Sequence, residues 1–142
     1  MKTLKEHIEN VVEDIPRNDE RLMLEMAQIG KFDKNKLTVY IRSDDAGNIP
    51  HFHVVDTPTL GARFHTCVEI KRNRYFHYTG KEDDLSLKQR KMLNMFLKEP
   101  HRNKSFSNWS WLLQLWNDGN NSKMEVDELQ DQPDYTTIED NK

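Results

Sequence analysis

The spacing of apolar residues changes twice along this chain, and those changes limit the fold more than any other feature. Leu4, Ile8, Val11 and Ile15 recur at the three-to-four-residue interval of a helix, with Val12 beside them. Pro16 closes that run, because the residue before a proline is driven out of helical conformation. Asn18 suits the cap of a second helix, with Leu22, Met23, Met26 and Ile29 as its stripe and Gly30 as its left-handed stop. From Leu37 the interval drops to two. Leu37, Val39 and Ile41 alternate with Thr38, Tyr40 and Arg42, and Phe52 and Val54 alternate with His51, His53 and Val55. Phe64, Thr66, Val68 and Ile70 then alternate with Arg63, His65, Cys67 and Glu69. Each run reads as a half-buried strand. A fourth strand begins at Tyr75-Phe76-His77-Tyr78 and stops at Thr79-Gly80.

Helical spacing returns after Ser86, which stands three residues before Gln89 as in a capping box. Met92, Leu93, Phe96 and Leu97 form one stripe, and Pro100 follows its end. Ser107 caps a last helix with the stripe Trp109, Leu112, Leu113 and Trp116, stopped by Asn117-Asp118-Gly119. Trp111 and Leu115 lie off that stripe and face either the sheet or a partner.

The connections Ser43–Asn48, Thr57–Gly61 and Lys71–Arg74 are short and turn-forming, which favours an antiparallel meander. The expected fold is therefore α+β. Three to four antiparallel strands over 37–80 are flanked by an N-terminal helical pair within 1–30 and a C-terminal pair over 86–118, in one domain of residues 1–120. Residues 121–142 read as an acidic, flexible tail, because apolar content is low and Pro133 interrupts them. The segment 123–142 carries seven acids and two lysines, a net charge of −5 against −3 for the whole chain. The body is thus close to +2, less basic than nucleic-acid-binding domains usually are. No apolar run approaches the ~20 residues of a membrane span, and the first residues carry no secretion signal. One cysteine, Cys67, excludes an intrachain disulfide and a four-cysteine zinc site. The expected compartment is the cytoplasm, that of the host if the chain is phage-encoded.

Four of the six histidines fall in the strands: His51, His53, His65 and His77. Residues two apart on a strand share a face, so His51 pairs in direction with His53, and His65 with Cys67. If Asp56 opposes Ala62 across a five-residue loop, His53 faces His65 and His51 faces Cys67. Opposed side chains have Cβ atoms ~5 Å apart, within reach of one metal. His51, His53, His65 and Cys67 are therefore candidate metal ligands, with zinc suited to imidazole plus thiolate; the alternative is no cofactor. The same His51, His53 and His65 are candidate catalytic residues, since imidazole can act as base and acid near neutral pH. His77 reaches that face only if the preceding turn has three residues rather than two. Asp44 and Asp45 could orient an imidazole, join a cation site or simply form the turn. Lys71, Arg72 and Arg74, interleaved with Tyr75, Phe76 and Tyr78, are candidate contacts for RNA or single-stranded nucleic acid.

The stretch Val39–Val54, with an acidic turn before Pro50-His51-Phe52-His53-Val54, resembles a group of small bacterial and phage proteins. The resemblance spans about Leu37 to Trp116. It implies a compact meander-plus-helix fold, and for some members a place in toxin–antitoxin-type gene pairs. The usual Asp-His-Pro before the motif is replaced by Asp45-Ala46-Gly47-Asn48-Ile49, and the N-terminal helices and acidic tail are additions. Three better-defined patterns fail. Histidine-triad hydrolases need a third alternating histidine where Val55 stands. The cupin spacing is broken at Gly47 and Asp56. Two-histidine phosphoesterases need His-x-Thr/Ser units, which neither His51-Phe52-His53 nor His65-Thr66-Cys67 provides.

Two function classes follow. A binding or regulatory protein, of toxin–antitoxin type, is motivated by the Trp-rich last helix and the acidic tail, with a protein as partner. A histidine-dependent ribonuclease or other hydrolase, or a zinc-binding protein, is motivated by the histidine cluster. Whether the chain is an enzyme is left open by the sequence.

Overall fold

The computed structural model describes residues 26–42, 49–56, 62–77, 79–120 and 124–138. Four strands, β1 (Met26–Phe32), β2 (Leu37–Arg42), β3 (His51–Val55) and β4 (His65–Glu69), form one antiparallel sheet in the order β1-β2-β3-β4. Two helices follow, α1 (Leu87–Lys98) and α2 (Asn108–Asn120), and a 3₁₀ turn at Tyr135–Thr137. The α+β class and the antiparallel sheet agree with the sequence reading. The helical N-terminal extension expected within 1–30 does not extend to residues 26–30, which are strand. Residues 1–25, with the first expected helix, lie outside the described residues, as do Asp44 and Asp45.

β1 escapes the simple alternating pattern because a bulge between Gln28 and Gly30 shifts its register against β2. Ala27 and Ile29 turn into the core, and after the bulge Phe32 does so three residues later. The hairpin between β1 and β2 is closed by Asp33, Lys34 and Asn35, all with positive φ, and by Lys36 N–H donating to the Asp33 carbonyl.

α1 opens on the expected capping box: Ser86 Oγ accepts from Gln89 N–H, and Gln89 Oε1 accepts from Ser86 N–H. Leu93, Phe96 and Leu97 are its buried stripe. Ser107 Oγ accepts from Ser110 N–H at the start of α2. Trp109, Leu112, Leu113 and Trp116 are buried as expected, and Leu115 is fully buried with Trp111 packed partly against the same core. The core joins these side chains to Val39, Ile41, Phe52, Val54, Val68 and Ile70 from one face of the sheet.

Two expectations are corrected here. The expected fourth strand is not formed over 75–77, and Tyr78 lies outside the described residues. After β4 the chain bends through 70–74, and only Tyr75 pairs with Val68, as an isolated bridge. His77 is exposed. The expected flexible tail is, over 124–138, a docked strap. Val126, Tyr135 and Ile138 are buried, and Tyr135 Oη donates to the Glu69 carbonyl at 2.8 Å. Trp116 Nε1 donates to the Met124 carbonyl and Trp109 Nε1 to the Gln130 carbonyl, while Gln130 Nε2 reaches the Ile70 carbonyl. Three apolar anchors and these side-chain-to-backbone bonds hold the strap without any regular period.

Candidate metal centre

β3 and β4 pair so that His53 opposes Cys67, Val55 opposes His65 and His51 opposes Glu69. The expected register, with His53 opposite His65 and His51 opposite Cys67, is wrong by two residues. The cause is the loop: Asp56 N–H bonds the Phe64 carbonyl, and the Asp56 carboxylate accepts from Arg63 and Phe64 N–H, so the loop spans seven residues. A shift of two keeps every side chain on its face. β2 adds Tyr40 opposite His53, giving a cross-strand row Tyr40–His53–Cys67. His65 stands diagonal to His53, a separation that long side chains bridge.

The imidazoles of His53 and His65 do bridge it. His53 Nδ1 lies 2.9 Å from His65 Nε2, and Cys67 Sγ lies 3.3 Å from the first and 3.5 Å from the second. Among the described residues these three form a group with donor atoms close enough for one metal ion. His53 and Cys67 have no exposed surface, and His65 is half-buried. The face expected to be solvated is therefore interior: Thr38, Tyr40, His51, His53 and Cys67 are buried on it, as Val39, Ile41, Phe52, Val54 and Val68 are on the other. A buried cluster of polar atoms must satisfy itself or hold something, because an unmet buried polar group costs about 1–3 kcal/mol.

The two rings lie within 5° of parallel with centres 5.2 Å apart. That separation equals the N–N contact plus the two centre-to-nitrogen radii, so the rings meet edge to edge in one plane and are not stacked face to face. One nitrogen donates and the other accepts; which one is a matter of tautomer. Tyr40 stacks on His53, with ring centres 4.8 Å apart.

His51 shares this face but not the cluster. Its Nδ1 donates to the Ile49 carbonyl at 2.7 Å, and its ring lies flat against Phe76 and tilted to Trp116. The fourth expected ligand is thus a packing residue, separated from its expected partner Cys67 by the register shift.

The outer edge of β4 is closed by other segments. Phe76 N–H donates to the Cys67 carbonyl, and Glu69 N–H to the Arg74 carbonyl. Asp83 meets His65 twice: its N–H donates to the His65 carbonyl, and its Oδ2 accepts from His65 N–H. Pattern reading had no signal for Asp83, which acts on backbone from a segment without periodicity.

The basic candidates sit apart from this centre. Lys71 and Arg72 are exposed, and Arg74 pairs with the Glu69 carboxylate at 3.1 Å. The aromatics beside them are occupied: Tyr75 is buried and Phe76 stacks on His51. The stacking half of a single-strand grip is therefore not on offer at these two rings. No helix among the described residues is long and apolar enough to cross a membrane.

No family model, no curated protein and no solved structure matches this chain.

Proposed function

We propose that this chain is a metal-binding protein, with zinc held by His53 Nδ1, His65 Nε2 and Cys67 Sγ. One observation carries the reading: three buried or half-buried donors stand 2.9, 3.3 and 3.5 Å from one another. Zinc at its usual bond lengths in a tetrahedral site holds donors about 3.3 Å apart for two nitrogens and about 3.6 Å for nitrogen and sulfur. Both N–S edges are within ~0.3 Å of that figure, and the N–N edge needs to open by ~0.4 Å. Imidazole plus thiolate is a donor set suited to zinc rather than to magnesium or calcium.

The in-plane N–N contact favours a second reading, a histidine pair that passes a proton. His53 and His65 would then serve the hydrolase anticipated from the sequence, without His51. A docking role through the last helix and the tail draws less support, because Leu115, Trp116, Val126 and Tyr135 fill the protein's own core.

The metal reading is tested by elemental analysis of tag-free protein made with zinc supplied and without chelators. About one zinc per chain is expected, falling below ~0.1 in His65→Ala and Cys67→Ser. His51→Ala should keep its zinc while losing about 2 kcal/mol of stability, as a packing residue would. Wild-type protein with less than ~0.1 zinc per chain would leave the proton-passing pair as the reading of the site.

A further inference from the structure

We infer that Asp83 is a positioning residue that sets how tightly the His53, His65 and Cys67 centre holds its metal. This rests on the metal reading above. His65 is the first residue of β4, where a strand end would ordinarily fray, and it is the least buried of the three donors. A ligand on a frayed end loses affinity, because binding must then order it. Here the end is clasped on both sides. On the inner side Asp56 fixes Arg63 and Phe64. On the outer side Asp83 makes both bonds that a neighbouring strand would make, 2.7 Å to the His65 carbonyl and 3.0 Å from His65 N–H.

The segment that presents Asp83 is itself shaped for the task. Glu82 accepts from Thr79 N–H, Thr79 Oγ1 and Gly80 N–H, folding 79–82 into a tight turn at a glycine with φ +83°. Beyond Asp83, Leu85 is buried, and its N–H donates to Tyr75 Oη at 2.9 Å. The clasp is anchored before and after the residue that grips His65. Asp83 is itself exposed, so its carboxylate contributes little to the core, and its effect should be read in the metal rather than in the fold.

The test is competition for zinc against a chromophoric chelator, on the full chain, for wild type, Asp83→Ala and Asp83→Asn. Asp83→Ala should weaken zinc binding about 10-fold, the usual size of an outer-partner effect. Asp83→Asn keeps an acceptor oxygen and should return to within about 2-fold of wild type. The unfolding midpoint of the zinc-free protein is measured alongside and should be similar in all three. Zinc affinity of Asp83→Ala within about 2-fold of wild type overturns the inference, and so does an equal loss in Asp83→Asn. Absence of zinc binding by wild type is a different failure, that of the metal reading on which the inference stands.

Discussion

Tyr135 shows what a single residue outside any regular element can do. Its ring is fully buried, edge-on to Phe52 and Trp109, and its hydroxyl donates to the Glu69 carbonyl. Burial holds the phenol well above its ordinary value of 10.0, and the Glu69 carboxylate raises it further. A group with a raised folded-state pKa stabilises fully below its unfolded pKa and loses that contribution as pH rises towards the folded value. Above pH 10 the unfolded chain sheds the proton and the folded chain keeps it, so stability falls by about 1.4 kcal/mol per pH unit. Tyr135→Phe should cost about 1–2 kcal/mol at neutral pH, with the Glu69 carbonyl losing a donor. It should also be spared the alkaline loss, so denaturation curves of the two proteins converge as pH climbs past 10. Parallel curves would show that the phenol does not titrate as its burial implies. At the site, His51 makes the complementary point: a histidine on the same face as His53, two residues away, packs against Phe76 and Trp116 and stays outside the His53, His65 and Cys67 group.

Among the elements, β1 depends most on a detail. A Cβ added at Gly30 would stand 2.9 Å from Phe96 Cζ, and Phe96 is stacked on Phe32. Two effects compete in Gly30→Ala. Alanine is favoured over glycine in a strand by roughly 0.5–1 kcal/mol, while overpacking costs about 1–3 kcal/mol. With the ring held by Phe32, the clash should win and urea denaturation should show a net loss of about 1 kcal/mol. In a Phe96→Leu background the clash is gone and the sign should reverse. A gain in stability from Gly30→Ala alone would mean that the ring yields. The same bulge explains why β1 was not legible: Leu22, Met23, Met26 and Ile29 fall at helical intervals, while the buried Ala27, Ile29 and Phe32 follow no single period. β2, β3 and β4 were legible because alternation is unbroken in each. The register of β3 against β4 was not, since the bonds that the Asp56 carboxylate accepts from Arg63 and Phe64 N–H, and that lengthen the loop, leave no trace in hydrophobic pattern. The error was even-numbered, so the face of His53, His65 and Cys67 survived it.

At the scale of the molecule, the sheet is an interior element. The apolar residues of each strand lie in one core with side chains of α1, α2 and the strap, and the polar face is buried as well, with Trp116 of α2 against His51. Alternation in sequence suggested one wet side, because it records polarity and not exposure; Tyr40, His53 and Cys67 are polar-side residues with little or no accessible surface. The strap was illegible for a related reason. Its composition is that of a solvated tail, yet Val126, Tyr135 and Ile138 with a few directed hydrogen bonds are sufficient to dock it. The consequence for the site is that a thiol and two imidazoles are held together on a buried face, with donor atoms close enough for one metal ion. X-ray absorption at the zinc edge of the purified full chain reads that arrangement most directly. The proposed zinc site predicts two imidazole nitrogens at about 2.0–2.1 Å and one sulfur at about 2.3 Å. A shell without sulfur, or one without imidazole scattering, would contradict it.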